Sequence, residues 1–321
     1  MIKKIAILTS GGDAPGMNAA IRSTTRTAIS NGIEVYGIED GYYGLYHNKI
    51  FKLESRDVAN QIYRGGTFLG SARFPDFKDL ETREKAVKNL DVLGIEALVV
   101  IGGDGSYMGA LKLTEMGYPT IGLPGTIDND ISSTEFTIGF DTALNTIVEN
   151  VDKLRDTSGS HRRCSVVEVM GRDAGDLALW AGIATGAEAT LIPEVEPKID
   201  EITNKIKNDQ KNGKRHFIVI VAEGLKISEK LTQHLEKETG ISTRLTILGH
   251  IQRGGSPTAF DRVLASRMGE FAIEQLMAGN KGECIGIKEN KLVSASIKDS
   301  LEQKHSIDEK MFIAANRYLN I

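Results

Sequence analysis

Ala97-Leu98-Val99-Val100-Ile101, running directly into Gly102-Gly103-Asp104-Gly105-Ser106, carries the clearest buried-strand signal in the chain. Its apolar residues are continuous rather than alternating, as in strands covered on both faces of a parallel sheet. The glycines end that strand and open a helix expected from about residue 107 to 116. Strand, glycine turn and helix in succession offer free backbone N–H groups and the positive helix end, which suits a phosphate. A carboxylate in such a turn repels phosphate unless it holds a divalent cation, so Asp104 is a candidate Mg²⁺ ligand. The plainer role for Asp104 is a helix N-cap.

The same order recurs on either side. Ile5-Ala6-Ile7-Leu8 leads through Gly11-Gly12 into helical spacing over 19–29, stopped at Asn31-Gly32. Further strands are expected at 34–38, 118–124, 165–170 and 217–222, with a short one ending at Ile192. Helices are expected over 82–93, 140–157, an Ala-rich stretch through Trp180, 198–212, 229–239, 262–278 and 308–319. Strands alternating with helices give an α/β class with mainly parallel sheets sandwiched by helices. The arrangement expected is two Rossmann-like lobes with a cleft between them. Polar loops after the strands then face that cleft, where open α/β sheets place their chemistry. The larger lobe is expected to take 1–139 plus 252–302, the smaller 140–251 plus 303–321.

With 321 residues the chain suffices for two good cores. Charged residues make up 26%, apolar ones 40%, and the net charge is -4. No general field attracts nucleic acid or a membrane, so any anion must be held by local Arg and Lys clusters. The two cysteines, Cys164 and Cys284, make neither a disulfide framework nor a metal cluster and read as small buried or half-buried thiols in a reducing compartment. The opening apolar run is too short for a secretory signal, no run is long enough to span a bilayer, and a cytoplasmic location is expected.

Pro124-Gly125-Thr126-Ile127-Asp128-Asn129-Asp130 has two carboxylates two residues apart after a strand. Alone it would be an Asx-rich turn; beside the turn at 102–106 it reads as reactive. Arg64 to Arg73 is glycine-rich without amphipathic period, and Arg73 is a candidate phosphate contact. Tyr42, Tyr43 and Tyr46 are either packing or a face for a flat ring. Gly171-Arg172-Asp173 closes one strand, and Glu223 another, where a carboxylate is costly unless it binds something. Arg244, His250 and Arg253 around a glycine loop suggest an anion pocket. Arg22 and Arg26 share one helix face, either solvated or a second anion site.

These stretches resemble the ATP-dependent 6-phosphofructokinases of bacteria over essentially the whole chain. Gly-Gly-Asp-Ala-Pro-Gly-Met-Asn at 11–18, Gly-Gly-Thr-Phe-Leu-Gly-Ser-Ala-Arg at 65–73, Gly-Gly-Asp-Gly-Ser at 102–106, Pro-Gly-Thr-Ile-Asp-Asn-Asp at 124–130, Met-Gly-Arg-Asp-Ala-Gly at 170–175 and Leu-Gly-His-Ile-Gln-Arg-Gly-Gly at 248–255 stand in family order. The resemblance implies phosphoryl transfer from Mg·ATP to the 1-hydroxyl of fructose 6-phosphate, the committing step of glycolysis, by a homotetramer. It implies that Gly12, Tyr42, Arg73, Phe74, Gly103, Asp104, Gly105 and Ser106 hold ATP, with Asp104 on Mg²⁺. It implies Asp128 as general base, Thr126 and Arg172 stabilising the transferring group, and Asp130 positioning the site, with Arg73 and Gly12 assisting. Arg163, Arg244, His250 and Arg253 would grip the 6-phosphate, with Arg163 and Arg244 supplied by a neighbouring subunit. Ile127, Met170, Gly171, Glu223, Ile251 and Gln252 would complete the sugar site.

Pyrophosphate-using relatives carry Asp and Lys where this chain has Gly105 and Gly125, so ATP is the expected donor. The family's ADP and phosphoenolpyruvate site matches at Arg22, Arg26, Arg155, Gly186, Glu188, Lys214, Arg215 and His216. It departs at Asn212, where a basic residue is expected, and at Ser55, where the arginine is displaced to Arg56. Weakened or altered regulation is the expectation. The rivals are a pyrophosphate-dependent phosphofructokinase, an NAD- or lipid-kinase-type enzyme sharing only the turn at 102–106, and a non-catalytic sugar-phosphate sensor.

Overall fold

The computed structural model describes residues 2–317. Its strands are β1 (Lys4–Thr9), β2 (Glu34–Ile38), β3 (Ile50–Leu53), β4 (Ala97–Gly102), β5 (Thr120–Pro124), β6 (Cys164–Val169), β7 (Ala189–Leu191), β8 (Phe217–Ala222), β9 (Thr243–Ile247), β10 (Glu283–Lys288) and β11 (Lys291–Ser296). Its α-helices are α1 (Met17–Ser30), α2 (Gly41–Tyr46), α3 (Leu80–Leu93), α4 (Asp104–Glu115), α5 (Phe140–His161), α6 (Asp176–Thr185), α7 (Ile199–Lys211), α8 (Ser228–Thr239), α9 (Ala259–Met277), α10 (Ile297–Glu302) and α11 (Glu309–Ala315). The expected last helix ran to Leu319, which lies outside the described residues.

Two compact units share the chain. The first takes the stretch ending at Ile127, then Ile131–Thr142 and Arg253–Lys304; the second takes Asp128–Asp130, Ala143–Gln252 and the stretch from His305 onward.

In the first unit a seven-stranded sheet has the order β11-β10-β5-β4-β1-β2-β3. It is parallel except at its edges, where β3 and β11 pair antiparallel. β4 is buried at every position, as its unbroken apolar run requires. One core cluster joins Leu8, Leu98 and Val100 to Leu90 of α3 and to Tyr107 and Leu113 of α4. β1 lies between β4 and β2, so the chain leaves the middle of the sheet in both directions. That switch point opens a crevice at the carboxyl ends of β1 and β4, where the turns at 10–12 and 103–106 stand.

The second unit holds a fully parallel four-stranded sheet, β7-β8-β6-β9. β8, Phe-Ile-Val-Ile-Val-Ala, is buried throughout. Ile202 and Ile206 of α7 and Leu231 and Leu235 of α8 cover one face together with Val219 and Val221. Both cysteines are buried and free, and burial pushes the Cys164 thiol up to about 12. Among the described residues no helix is long and apolar enough to cross a membrane.

Two local expectations need correction. Helix α4 begins at Asp104, not near Tyr107. Gly103 is its N-cap residue and its carbonyl accepts from the N–H groups of both Ser106 and Tyr107, so three residues expected in the turn form the first helical turn. Asp104 is therefore the first helical residue and not a cap. The second correction is the β10–β11 hairpin, which the tail's mixed composition concealed. Its turn residues, Glu289 and Asn290, have φ of 49° and 59°, the left-handed pair that tight hairpins need.

Candidate active site

In the first unit the ends of β4 and β5 lie side by side, with Gly102 opposite Pro124 and the Gly125 N–H donating to the Gly102 carbonyl at 3.1 Å. This sets Gly103 against Thr126: a Cβ at 103 would lie 3.6 Å from Thr126 Cβ. Thr126 is buried, and its carbonyl accepts from Thr137 Oγ1 at 2.7 Å. Ser106 Oγ is buried with no hydrogen-bond partner. It lies 3.4 Å from where a Cβ on Gly11 would sit, so it faces the turn after β1. An orphaned hydroxyl in the first turn of a helix is what a bound phosphate or its cation would satisfy.

Among the described residues no group of three or more His, Cys, Asp or Glu could cage a metal. Mg²⁺ does not need such a cage, because it is commonly held by one or two carboxylates plus substrate phosphates. Asp104, exposed at the start of α4, fits that pattern.

The loop expected to carry Arg73 is pinned to the same place. Ser71 Oγ donates to the Gly11 carbonyl at 2.6 Å, Thr9 Oγ1 to the Gly70 carbonyl at 2.8 Å, and Asn18 bonds Arg64, Gly65 and Phe68 backbone. Arg73 is exposed and Phe74 packs edge-on to Tyr43. Tyr42 departs from expectation. Its ring is buried and stacked on Phe77 at 4.2 Å, and its hydroxyl donates to the Ser106 carbonyl at 2.6 Å. Tyr42 braces the first turn of α4 and offers no ring face.

Arg253 also departs. Expected with the sugar phosphate, its guanidinium lies against Gly12, where a Cβ would come within 1.5 Å of Nη1. Any side chain at 12 would displace it.

In the second unit parallel pairing aligns the carboxyl ends of β6, β8 and β9, and with them Met170 to Arg172, Glu223, and Leu248 to Gln252. Asp128 is 1% exposed and lies 3.1 Å from Arg172 Nε, whose side chain is 52% exposed. Arg172 has a left-handed backbone, φ 54°, which is strained for a non-glycine residue and clusters at functional sites. Two neighbours hold it. Glu223 Oε1 accepts from the Arg172 N–H at 3.0 Å, and Gly224 lets the Arg172 carbonyl approach to 2.2 Å from where a Cβ would be. Glu223 thus grips the arginine loop, a role that a substrate contact alone does not capture.

Gln252, expected against the sugar, is fully buried. It accepts from Met170 N–H at 3.1 Å and donates to Gly249 carbonyl at 2.9 Å, tying the loops after β6 and β9 together. Met170 and Gly171 are buried, while His250 and Ile251 stand exposed on the 3₁₀ turn Gly249–Arg253. Ile127 is buried. Asp130 is half-buried beside Asp128 and Asn129.

Arg163 and Arg244 do not join this group. Arg163 precedes β6 and Arg244 sits near the start of β9, paired with Ser165. They are at the amino ends of strands whose carboxyl ends carry Arg172 and His250. Five or six residues at about 3.3 Å each separate the two ends.

A profile of the phosphofructokinase family matches residues 4–276. The chain belongs to the phosphofructokinase family. It is 59% identical over 313 residues to the ATP-dependent 6-phosphofructokinase of Tolumonas auensis, and 57% identical over 311 residues to that of Bacillus pumilus; each match takes in 97% of this chain and 98% of the relative. The solved phosphofructokinase of Saccharomyces cerevisiae superposes with a TM-score of 0.88 at 37% identity, covering 99% of this chain and 48% of the yeast chain. This chain thus spans about half the length of that yeast relative.

A separate pocket of about 310 Å³ is lined by Gly186, Glu188, Lys205, Asp209, Asn212 and Lys214. Lys214 pairs with the buried Glu188 at 2.5 Å, and Lys205 pairs with Asp209 at 3.1 Å. Arg155 donates to the Thr185 carbonyl beside it. Arg215 is exposed and His216 half-buried. Arg22 and Arg26 lie on α1 of the first unit, where burial and then Arg26 hold the Arg22 guanidinium below its usual range. The Lys205–Asp209 pair was not anticipated, although its i, i+4 spacing on α7 was readable.

Proposed function

We propose that this protein transfers the γ-phosphoryl group of ATP to the 1-hydroxyl of fructose 6-phosphate, giving fructose 1,6-bisphosphate and ADP. The observation that carries the reading is Asp128, a buried carboxylate on the loop after β5, in contact with the strained Arg172. Asp128 takes the proton of the sugar hydroxyl as that oxygen attacks in line, and phosphoryl transfer asks little of its base early in a loose transition state. Arg172 and Thr126 meet the charge on the transferring group, and Asp130 helps orient the loop. Asp104 would hold Mg²⁺, which when bound neutralises β- and γ-phosphate charge. Arg73 and the Ser106 hydroxyl contact the nucleotide phosphates.

ATP is the donor that the glycines favour. A Cβ on Gly105 would meet nothing within 4 Å, leaving room for an α-phosphate. A Cβ on Gly125 would lie 2.9 Å from Ile101 Cγ2 and 3.0 Å from Met17 Cε, so the lysine of pyrophosphate users has no place here. The 6-phosphate site takes His250 from one chain and Arg163 and Arg244 from a neighbour in a homotetramer, the placement of the last two at the far strand ends supporting a supply in trans. The enzyme works in the cytoplasm, where its two free thiols stay reduced.

Formation of fructose 1,6-bisphosphate from fructose 6-phosphate tests this, run with Mg·ATP and with Mg·pyrophosphate. Turnover with ATP alone is expected; turnover with pyrophosphate alone would overturn the donor assignment, and none with either would leave a sugar-phosphate sensor.

The pocket between Glu188 and Lys214 is the effector site of this reading. Both of its lysines already face carboxylates, and Asn212 adds no charge, so an anionic effector gains less there than in a basic pocket. ADP activation and phosphoenolpyruvate inhibition should be weak in steady-state sugar saturation curves. Shifts of tenfold or more in half-saturation would count against this.

A further inference from the structure

Beyond the Asp128–Arg172 pair, the two reactive loops are joined a second time. Asn129 Nδ2 donates to Asp176 Oδ1 at 3.4 Å, and Asp176 Oδ2 is 2.6 Å from His305 Nε2. Asn129 follows Asp128 directly, is 5% exposed and has φ 55°. Asp176 is the first residue of α6, four positions after Arg172. Asn129–Asp176 is therefore a second link between the loops joined by Asp128–Arg172, and His305 holds the other oxygen of Asp176. The side chains of Asp176 and His305 are 13% and 21% exposed, so the bond is shielded from water.

We infer that His305 is a positioning residue: through Asp176 it fixes Asn129 in its left-handed conformation and so aims the Asp128 carboxylate for proton transfer. The inference rests on the proposed role of Asp128. An Asn in the left-handed region is tolerated but not compelled, so the side-chain bond to Asp176 favours the conformer the loop keeps. With His305 removed, the Asp176 carboxylate keeps its 3.4 Å bond from Asn129 but loses the partner that fixes its orientation.

Charge adds to the geometry. The groups facing His305 are Asp176, Asp130 and Glu194, and Glu194 Oε1 accepts from Gly175 N–H at 2.8 Å. The hydrogen bond to Asp176 raises the imidazole above its usual range against the opposing effect of burial, and Asp130 and Glu194 raise it further. A raised histidine contributes fully below its unfolded value of about 6.5 and loses that contribution as pH rises through the folded one. The protonated ring thus holds the link below the raised value, and the hold slackens as pH rises through it.

The test compares kcat, KM and the pH profile of native protein, H305A and H305Q with fructose 6-phosphate and Mg·ATP. H305A should lower kcat on the order of tenfold or more with little change in KM for ATP, since small misplacement of a reacting group is costly. H305Q, whose amide nitrogen can stand where Nε2 does, should recover most of kcat at pH 7. It should also lack the fall in kcat with rising pH that the native histidine imposes. Native-like kcat and pH profile in H305A would overturn the inference alone. Equal losses in H305A and H305Q, matched by equal falls in Tm, would reduce His305 to a structural residue and overturn it too. Absence of turnover in the native protein would overturn the proposed function and the inference together.

Discussion

Asp128→Ala is expected to lower kcat by on the order of a thousandfold, the middle to upper range for loss of a positioned general base, while Mg·ATP still binds. Alanine removes the proton acceptor and also leaves Arg172 without the carboxylate 3.1 Å from its Nε. Asp128→Asn separates these effects. Its amide fills the same buried space, so Tm should stay close to native, yet it cannot accept the proton and presents N–H groups toward a guanidinium. Both variants should show the kcat loss with KM for ATP nearly unchanged. If Asp128→Asn retained a third or more of native kcat, the base would have to be sought elsewhere.

Gly105→Asp is the second large effect, and it acts on the nucleotide side. Because a Cβ there meets nothing within 4 Å, the new side chain costs no packing. In the first turn of α4 a carboxylate is favourable toward the helix dipole, so Tm should hold or rise slightly. Toward ATP it is strongly unfavourable. Two unit charges about 4 Å apart repel by about 4 kcal/mol at an effective dielectric constant near 20, on the order of a thousandfold in kcat/KM for ATP. The variant should not gain efficient pyrophosphate use, because Ile101 and Met17 still deny position 125 a lysine. Native-like kcat/KM for ATP in this variant would show that no phosphate passes near residue 105.

The strands that position these residues were readable because a parallel sheet buried on both faces demands unbroken apolar runs, and β4 and β8 have them. The family motifs likewise marked the loops that carry Asp104, Asp128 and Arg172. What each side chain does inside a motif was less legible. Tyr42 and Gln252 sit among binding residues in sequence, yet in the fold they turn inward to hold Ser106 and Met170. Direction is set by what lies across the fold, and no local pattern encodes it. Helix α4 was placed three residues late because Gly103 and Gly105 read as turn residues, although one caps the helix and the other joins it. The hairpin of β10 and β11 escaped because its turn, Glu289-Asn290, has no glycine and β11 is half polar. His305 lies 129 residues from Asp176, and no spacing rule links them.

The backbone passes from one unit to the other at 127/128, 130/131, 142/143, 252/253 and 304/305. Neither unit is a contiguous length of polypeptide, and the first of these passages falls within the reactive loop, immediately before Asp128. No single cut in a gene could release either unit or splice it onto another protein. Recombination can therefore trade this catalyst only as a whole, and its specificity must change by substitution within the loops rather than by exchange of parts.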